Sequence, residues 1–155
     1  MIATSPDLRQ NIAVAVPLDT GWEMASTSEP ANRSALTGLR FIPTKVPGTV
    51  ASALREQKSW RMGDGASFDA SEHWFRCRFD AESAQPGEEI VLRVGGIATV
   101  AEVWLNGENI LSGTSMFASH EVDISALLLD SNELLIVCRS LSAAMRTQQK
   151  VSAIR

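Results

Sequence analysis

The chain has 155 residues, 45% of them hydrophobic and 21% charged, with a formal net charge of −4 at pH 7. That length suffices for one domain with its own core, without disulfide or metal staples, and the composition is that of an ordinary globular protein. An acidic balance without a concentrated basic surface excludes nucleic acid and anionic membrane as expected partners.

The first apolar stretch, Ile12-Ala13-Val14-Ala15-Val16, is short, is stopped by Pro17 and precedes no small-residue cleavage pattern. It reads as neither signal peptide nor membrane span, so a cytoplasmic location is the expectation. With Gly21 to Met24 it supplies the candidate strands of the amino-terminal third. Thr27 to Gly38, rich in Ser, Thr, Asn and Pro, reads as a loop. Lys45-Val46-Pro47-Gly48-Thr49-Val50 predicts a turn into a short helix from Ala51 to about Gln57. Ser59 to Ser71, with its Gly, Asp and Ser, predicts a long surface loop that carries Trp60, Met62 and Phe68.

The rest is more legible. Trp74 to Phe79 alternates, with Phe75, Cys77 and Phe79 on one face and Trp74, Arg76 and Arg78 on the other, as a half-buried antiparallel strand requires. After the Pro86-Gly87 turn, Ile90 to Val94 alternates up to Gly95-Gly96. Ala101, Val103 and Leu105 alternate with Glu102, Trp104 and Asn106, and Asn106-Gly107 is a hairpin signal because both residues tolerate positive φ. The return strand begins at Ile110-Leu111. His120 to Ile124 predicts a further strand, Ser125 to Leu129 a helical turn, and Leu134 to Leu141 a continuous apolar strand after Asp130-Ser131-Asn132.

Many short strands with turn signals about every ten residues predict an all-β fold, an antiparallel β-sandwich or jelly roll with one or two short helices. Crossover helices for a parallel sheet are missing from the pattern. Residues 1–141 form the expected domain. The polar tail 142–155, with one weak helical pattern, is expected to open the remainder of a longer chain.

Several segments, in order, resemble the sugar-binding, galactose-binding-like jelly-roll domain of glycoside hydrolase family 2, especially its β-mannosidase-like branch. They are Leu18-Asp19-Thr20-Gly21-Trp22-Glu23; Lys45 to Val50 followed by Leu54; Glu72 to Phe79; Gly96-Ile97 through Ala101 to Gly107; Met116-Phe117; Val122-Asp123-Ile124-Ser125; and Asn132 to Ile136. Their order and spacing across Leu18 to Leu141 carry the likeness. Two departures stand out: the plain Trp60-Arg61-Met62-Gly63-Asp64-Gly65 linker, where the family usually has an aromatic, acidic stretch, and Ser131 in place of a glycine.

The resemblance implies a non-catalytic accessory domain, inactive alone, that packs on a catalytic barrel of the same protein and helps shape the substrate pocket. In such enzymes two barrel glutamates, about 5 Å apart, perform retaining hydrolysis. Asn132-Glu133 looks superficially like the acid/base pair but belongs to the sandwich motif. A free-standing lectin-like module is the rival reading, and a scaffold without sugar affinity a third. Carbohydrate and the barrel are the expected partners, with self-association of the isolated chain through the surface the barrel would cover.

Individual residues divide between packing and contact. An indole stacks on the apolar face of a sugar as readily as it fills a core. Trp22 and Trp104, on strands with apolar neighbours, read as packing. Trp74 belongs either to a second core layer or to the barrel contact, and Trp60, in its loop beside Asp64, is the best candidate for exposure. Glu72 and Asp69 precede a strand and read as solvated acids that could also face a neighbouring sugar site. Trp60, Asp64, Glu72 and Trp74 are therefore the candidate carbohydrate or interface residues. Cys77 and Cys138 read as buried thiols; His73 and His120 are too isolated for a metal site, and no cofactor or catalytic residue is expected. Nor does either histidine stand in a nucleophile-elbow context, so Ser/His/Asp catalysis has no sequence support.

Overall fold

A computed structural model describes residues 14–28, 31–65, 67–82, 84–98 and 100–152, side chains of 148–152 excepted. Among the described residues eight strands form two antiparallel sheets: β1 (Trp22–Thr27), β2 (Ile42–Pro43), β3 (Glu72–Asp80), β4 (Val91–Val94), β5 (Ala101–Leu105), β6 (Glu108–Gly113), β7 (His120–Asp123) and β8 (Ser131–Cys138). Six of them make one sheet in the order β2-β1-β3-β8-β5-β6, and β4 pairs with β7 in the second. The antiparallel β-sandwich is as expected from the strand spacing.

The core lies between the sheets because alternation sends every second side chain inward. Trp22 and Met24 from β1, Phe75 and Cys77 from β3, Val103 and Leu105 from β5 and Leu134 from β8 meet Leu92, Val122, Ile124 and Leu128 from the opposite layer. The helix α1 (Val50–Glu56) closes one end, contributing Ala53, Val50 and Leu54. It starts one residue before the expected Ala51: Thr49 accepts from the backbone N–H of Ser52, and the Ser52 hydroxyl accepts from the Thr49 N–H, which satisfies two otherwise orphaned donors.

At the β5–β6 hairpin, Asn106 and Gly107 take φ of 48° and 96°, the left-handed pair that matches strand twist. Asn106 also holds the hairpin to the rest. Its Oδ1 accepts from the Glu133 N–H at 2.9 Å, and its Nδ2 donates to the Leu127 carbonyl and the Asn132 Oδ1, each at 2.8 Å. Asn132 is buried; it also accepts from the Leu129 N–H and donates to the Leu129 carbonyl. Two asparagines thus satisfy the backbone of the 127–133 connection, a job that no apolar residue could do.

Several expectations are corrected. Ile12 and Ala13 lie outside the described residues, while Val14 to Val16 form no strand and are exposed. β1 pairs instead with β3 along its whole length and with the two-residue β2 at Glu23 and Met24. The strand expected at Gly21–Met24 begins at Trp22, since Gly21 sits at φ 72°, and runs on to Thr27 opposite Glu72. The loop expected over 27–38 ends in a 3-10 helix, Arg33–Gly38, capped by the Asn32 carboxamide. The last strand spans Ser131–Cys138 rather than Leu134–Leu141, because Ser140 caps a helix by accepting from the Ala143 N–H. That helix, α2 (Leu141–Ser152), occupies the polar tail in which the sequence shows one weak helical pattern.

Candidate functional site

The outward face of the six-stranded sheet is not an open polar surface. Trp74, Leu135 and Val137 project from β3 and β8, and residues 31–41 cross over them, burying Leu36 with Ala31, Leu39 and Phe41 packed alongside. A second, smaller core results. The Arg76 guanidinium lies 3.7 Å from the centre of the Phe41 ring and donates to Glu23 at 2.8 Å, so its charge is paired while its plane covers an aromatic face.

Beside this layer stands a charged cluster. Arg139, the residue after β8, donates through Nη1 to both Glu72 oxygens, at 3.2 and 3.1 Å, and to the Ala31 carbonyl at 3.1 Å. Its Nε and Nη2 reach the two oxygens of Glu102 at 2.9 Å each, a bidentate fork. Glu72 also accepts from the Ala31 N–H at 3.0 Å, so one segment is tied to the sheet at both its N–H and its carbonyl. Hydrogen bonding from Arg139 holds the Glu102 carboxyl below its ordinary value of 4.5, and the Glu102 bond keeps Arg139 charged. Trp104 donates its indole N–H to Glu102 at 3.1 Å. Between the crossing segment and the sheet, Asn32, Arg33, Trp74, Trp104 and Arg139 line a cleft of about 210 Å³.

A second cluster lies on the opposite face of β3. The side chain of His73 sits between Ser26, directly across the ladder, and the loop carbonyl of Phe68, with Nδ1 2.8 Å from the Ser26 hydroxyl and Nε2 3.0 Å from Phe68 O. Phe68 packs edge-on against both His73 and Trp60. Next to it, β1, β2 and α1 enclose a cleft of about 310 Å³ whose walls include Ser26, Arg40, Gln57 and Ser59 over Met24 and Leu54.

The four sequence candidates do not converge on one site. Glu72, expected to be solvated, is only 4% exposed, because it is the buried partner of Arg139. Trp74 is 2% exposed and belongs to the second core layer, with Arg139 5.3 Å from its ring centre and its indole N–H unpartnered among the described residues. Trp60 is half-buried against Phe68 rather than free. Asp64 is exposed and accepts from the Arg61 N–H at 2.7 Å, closing a local turn. Glu133 pairs with Arg78 at 3.1 Å and Arg33 at 3.6 Å. Among the described residues no three or more His, Cys, Asp or Glu are gathered in a way that could hold a metal.

Sequence reasoning overlooked Arg139 and Glu102. The available signal was the charge at the end of the apolar run Leu134 to Cys138, since a cation inside an expected buried strand needs a carboxylate partner. The Ser26–His73 pair had no such signal, being joined only by strand register.

A two-layer antiparallel sandwich defines the class of protein as a β-sandwich module. The chain belongs to the glycosyl hydrolase 2 galactose-binding domain-like family, whose model matches residues 22–154. It is 28% identical over 132 residues to β-mannosidase B of Thermothelomyces thermophilus, an alignment that covers 79% of this chain and 15% of that protein. Its fold is similar to part of the β-D-mannosidase of Dictyoglomus thermophilum, with a TM-score of 0.69, 24% identity and coverage of 86% of this chain and 16% of that one. A Ruminococcus gnavus β-glucuronidase is also similar, with a TM-score of 0.59 and 20% identity over 79% of this chain and 20% of that one. The chain therefore spans a small fraction of the length of each of these proteins.

Proposed function

We propose that this chain is a non-catalytic accessory domain of a β-mannosidase-like glycoside hydrolase, packing on a catalytic barrel of the same protein and shaping one rim of its pocket. The observation that carries this reading is the loop between β6 and β7, where Phe117 is 89% exposed and the adjacent Met116 is 52% exposed. Burying a phenyl side chain is worth about 2 kcal/mol, so a soluble domain that leaves one out in water forgoes that stabilisation unless another surface covers it. The occupant is the catalytic domain, because the matched relative carries most of its length outside the region shared with this chain. In this reading the domain is residues 1–141, its described strands run from Trp22 to Cys138, and α2 (Leu141–Ser152) follows them.

The lectin-like alternative draws less support. Direct glycan binding usually offers an exposed indole that stacks on the sugar and donates its N–H, whereas Trp22 and Trp74 are buried, Trp60 and Trp104 are half-buried, and the exposed Phe117 has no N–H to donate. Assay of the purified chain on 4-nitrophenyl β-mannoside and β-glucuronide tests the non-catalytic part of the proposal. No turnover is expected; turnover that disappears in Glu133→Gln, with the fold intact, would overturn it.

A further inference from the structure

We infer that the cleft of about 310 Å³ between β1, β2 and α1 binds a small hydroxy-carboxylate, the size of a single sugar acid, through Arg40 and Ser26. The volume is at the lower end of small-molecule sites, which run from about 300 to 1,000 Å³, so one small ligand fits and a chain of sugars does not. This inference is independent of whether the domain packs on a barrel.

Arg40 supplies the charge. Among the described residues Arg33, Arg76, Arg78, Arg93 and Arg139 each have a carboxylate within 4 Å, whereas Arg40, like Arg55, Arg61 and Arg146, is in no ion pair, and of these four Arg40 alone lines the cleft. It is exposed and lines the cleft. A planar guanidinium without a partner is suited to a carboxylate, which it engages with two parallel hydrogen bonds.

Ser26 supplies the hydroxyl selectivity, and His73 sets its direction. A carbonyl can only accept, so the 3.0 Å contact with Phe68 O places the proton of the neutral ring on Nε2. Nδ1 then accepts, and the Ser26 hydroxyl spends its single hydrogen on it at 2.8 Å. What Ser26 presents to the cleft is therefore a pair of acceptor lone pairs, aimed at a ligand that donates O–H. His73 is 6% exposed and held at both nitrogens, which fixes the arrangement. Gln57, whose side-chain amide has no hydrogen-bond partner among the described residues, adds a donor and an acceptor, and Met24 and Leu54 give the C–H face of the ligand an apolar floor.

Sodium gluconate and its uncharged twin sorbitol, titrated into the ¹⁵N-labelled chain, test this directly. Gluconate is expected to move the amides of Ser26, Arg40 and Gln57 saturably at millimolar concentration, with sorbitol about tenfold weaker, the usual worth of one charge-assisted contact. Arg40→Met, at an exposed position, should weaken gluconate about tenfold without moving the thermal midpoint, and Ser26→Ala should weaken both ligands severalfold. Equal binding of gluconate and sorbitol, shifts scattered over the surface, an unaffected Arg40→Met variant, or no response at tens of millimolar would each overturn the inference.

Discussion

The two faces of the six-stranded sheet are both buried, by different physics. On the inner face, Met24, Phe75, Cys77, Val103, Leu105 and Leu134 are covered by the second sheet and α1, and burial of apolar area suffices. On the outer face, Trp74, Leu135 and Val137 are covered by an irregular segment, and Arg139, Glu72 and Glu102 fasten it. An irregular segment brings backbone N–H and C=O groups that need partners; Glu72 and Arg139 provide them for Ala31. The lesson is that a sheet face without a matching sheet can still be closed, provided that charges act as fasteners.

The contrast can be broken from either side. Leu105→Ala, on the inner face, removes a fully buried side chain and is expected to cost about 3–4 kcal/mol in urea unfolding, by the same amount at pH 7 and pH 4. Arg139→Met on the outer face should cost about 3 kcal/mol at pH 7, because two carboxylates lose their shared partner. Its pH dependence should differ. The folded-state carboxyl of Glu102 is held below 4.5, so its contribution is present above that pH and is lost as pH falls through the folded value. Wild type should therefore lose stability below pH 4.5 more steeply than Arg139→Met. Equal slopes would mean that the cluster is only decorative.

The same contrast governs what the sequence made legible. The inner face is written in the period-two alternation of Phe75, Cys77, Phe79 and of Ala101, Val103, Leu105, a local signal. The hairpin is written in Asn106-Gly107. The outer face depends on Ala31, Glu72, Glu102 and Arg139, which are distant in sequence and meet only through the register of β3, β8 and β5, so Glu72 reads as a solvated acid until the sheet is assembled. α2 shows in the sequence only as a weak helical pattern because LSAAMRTQQKVS is mostly polar, and Ser140 can be recognised as its cap only once β8 is seen to end at Cys138.

A smaller effect sharpens the comparison at its edge. Gly107 has φ 96°, and an added Cβ there would run into the Arg33 guanidinium, which sits above the outer face. Gly107→Ala should cost about 1–2 kcal/mol from the backbone strain and the displaced arginine, read as a lower thermal midpoint with the sandwich retained.

Because both faces of the large sheet are closed, the proposed contact surface lies at Phe117 and Met116 of the β6–β7 loop, where the most exposed aromatic stands, rather than at Trp60 or Trp74. Sedimentation velocity of the isolated chain over micromolar to submillimolar concentration tests this most directly, comparing wild type with Phe117→Ser, a surface change whose expected effect on stability is within about 0.5 kcal/mol. Wild type should associate with rising concentration and Phe117→Ser should remain monomeric with an unchanged melting curve. A wild type that stays monomeric throughout, or a Phe117→Ser variant that associates equally well, would contradict the account.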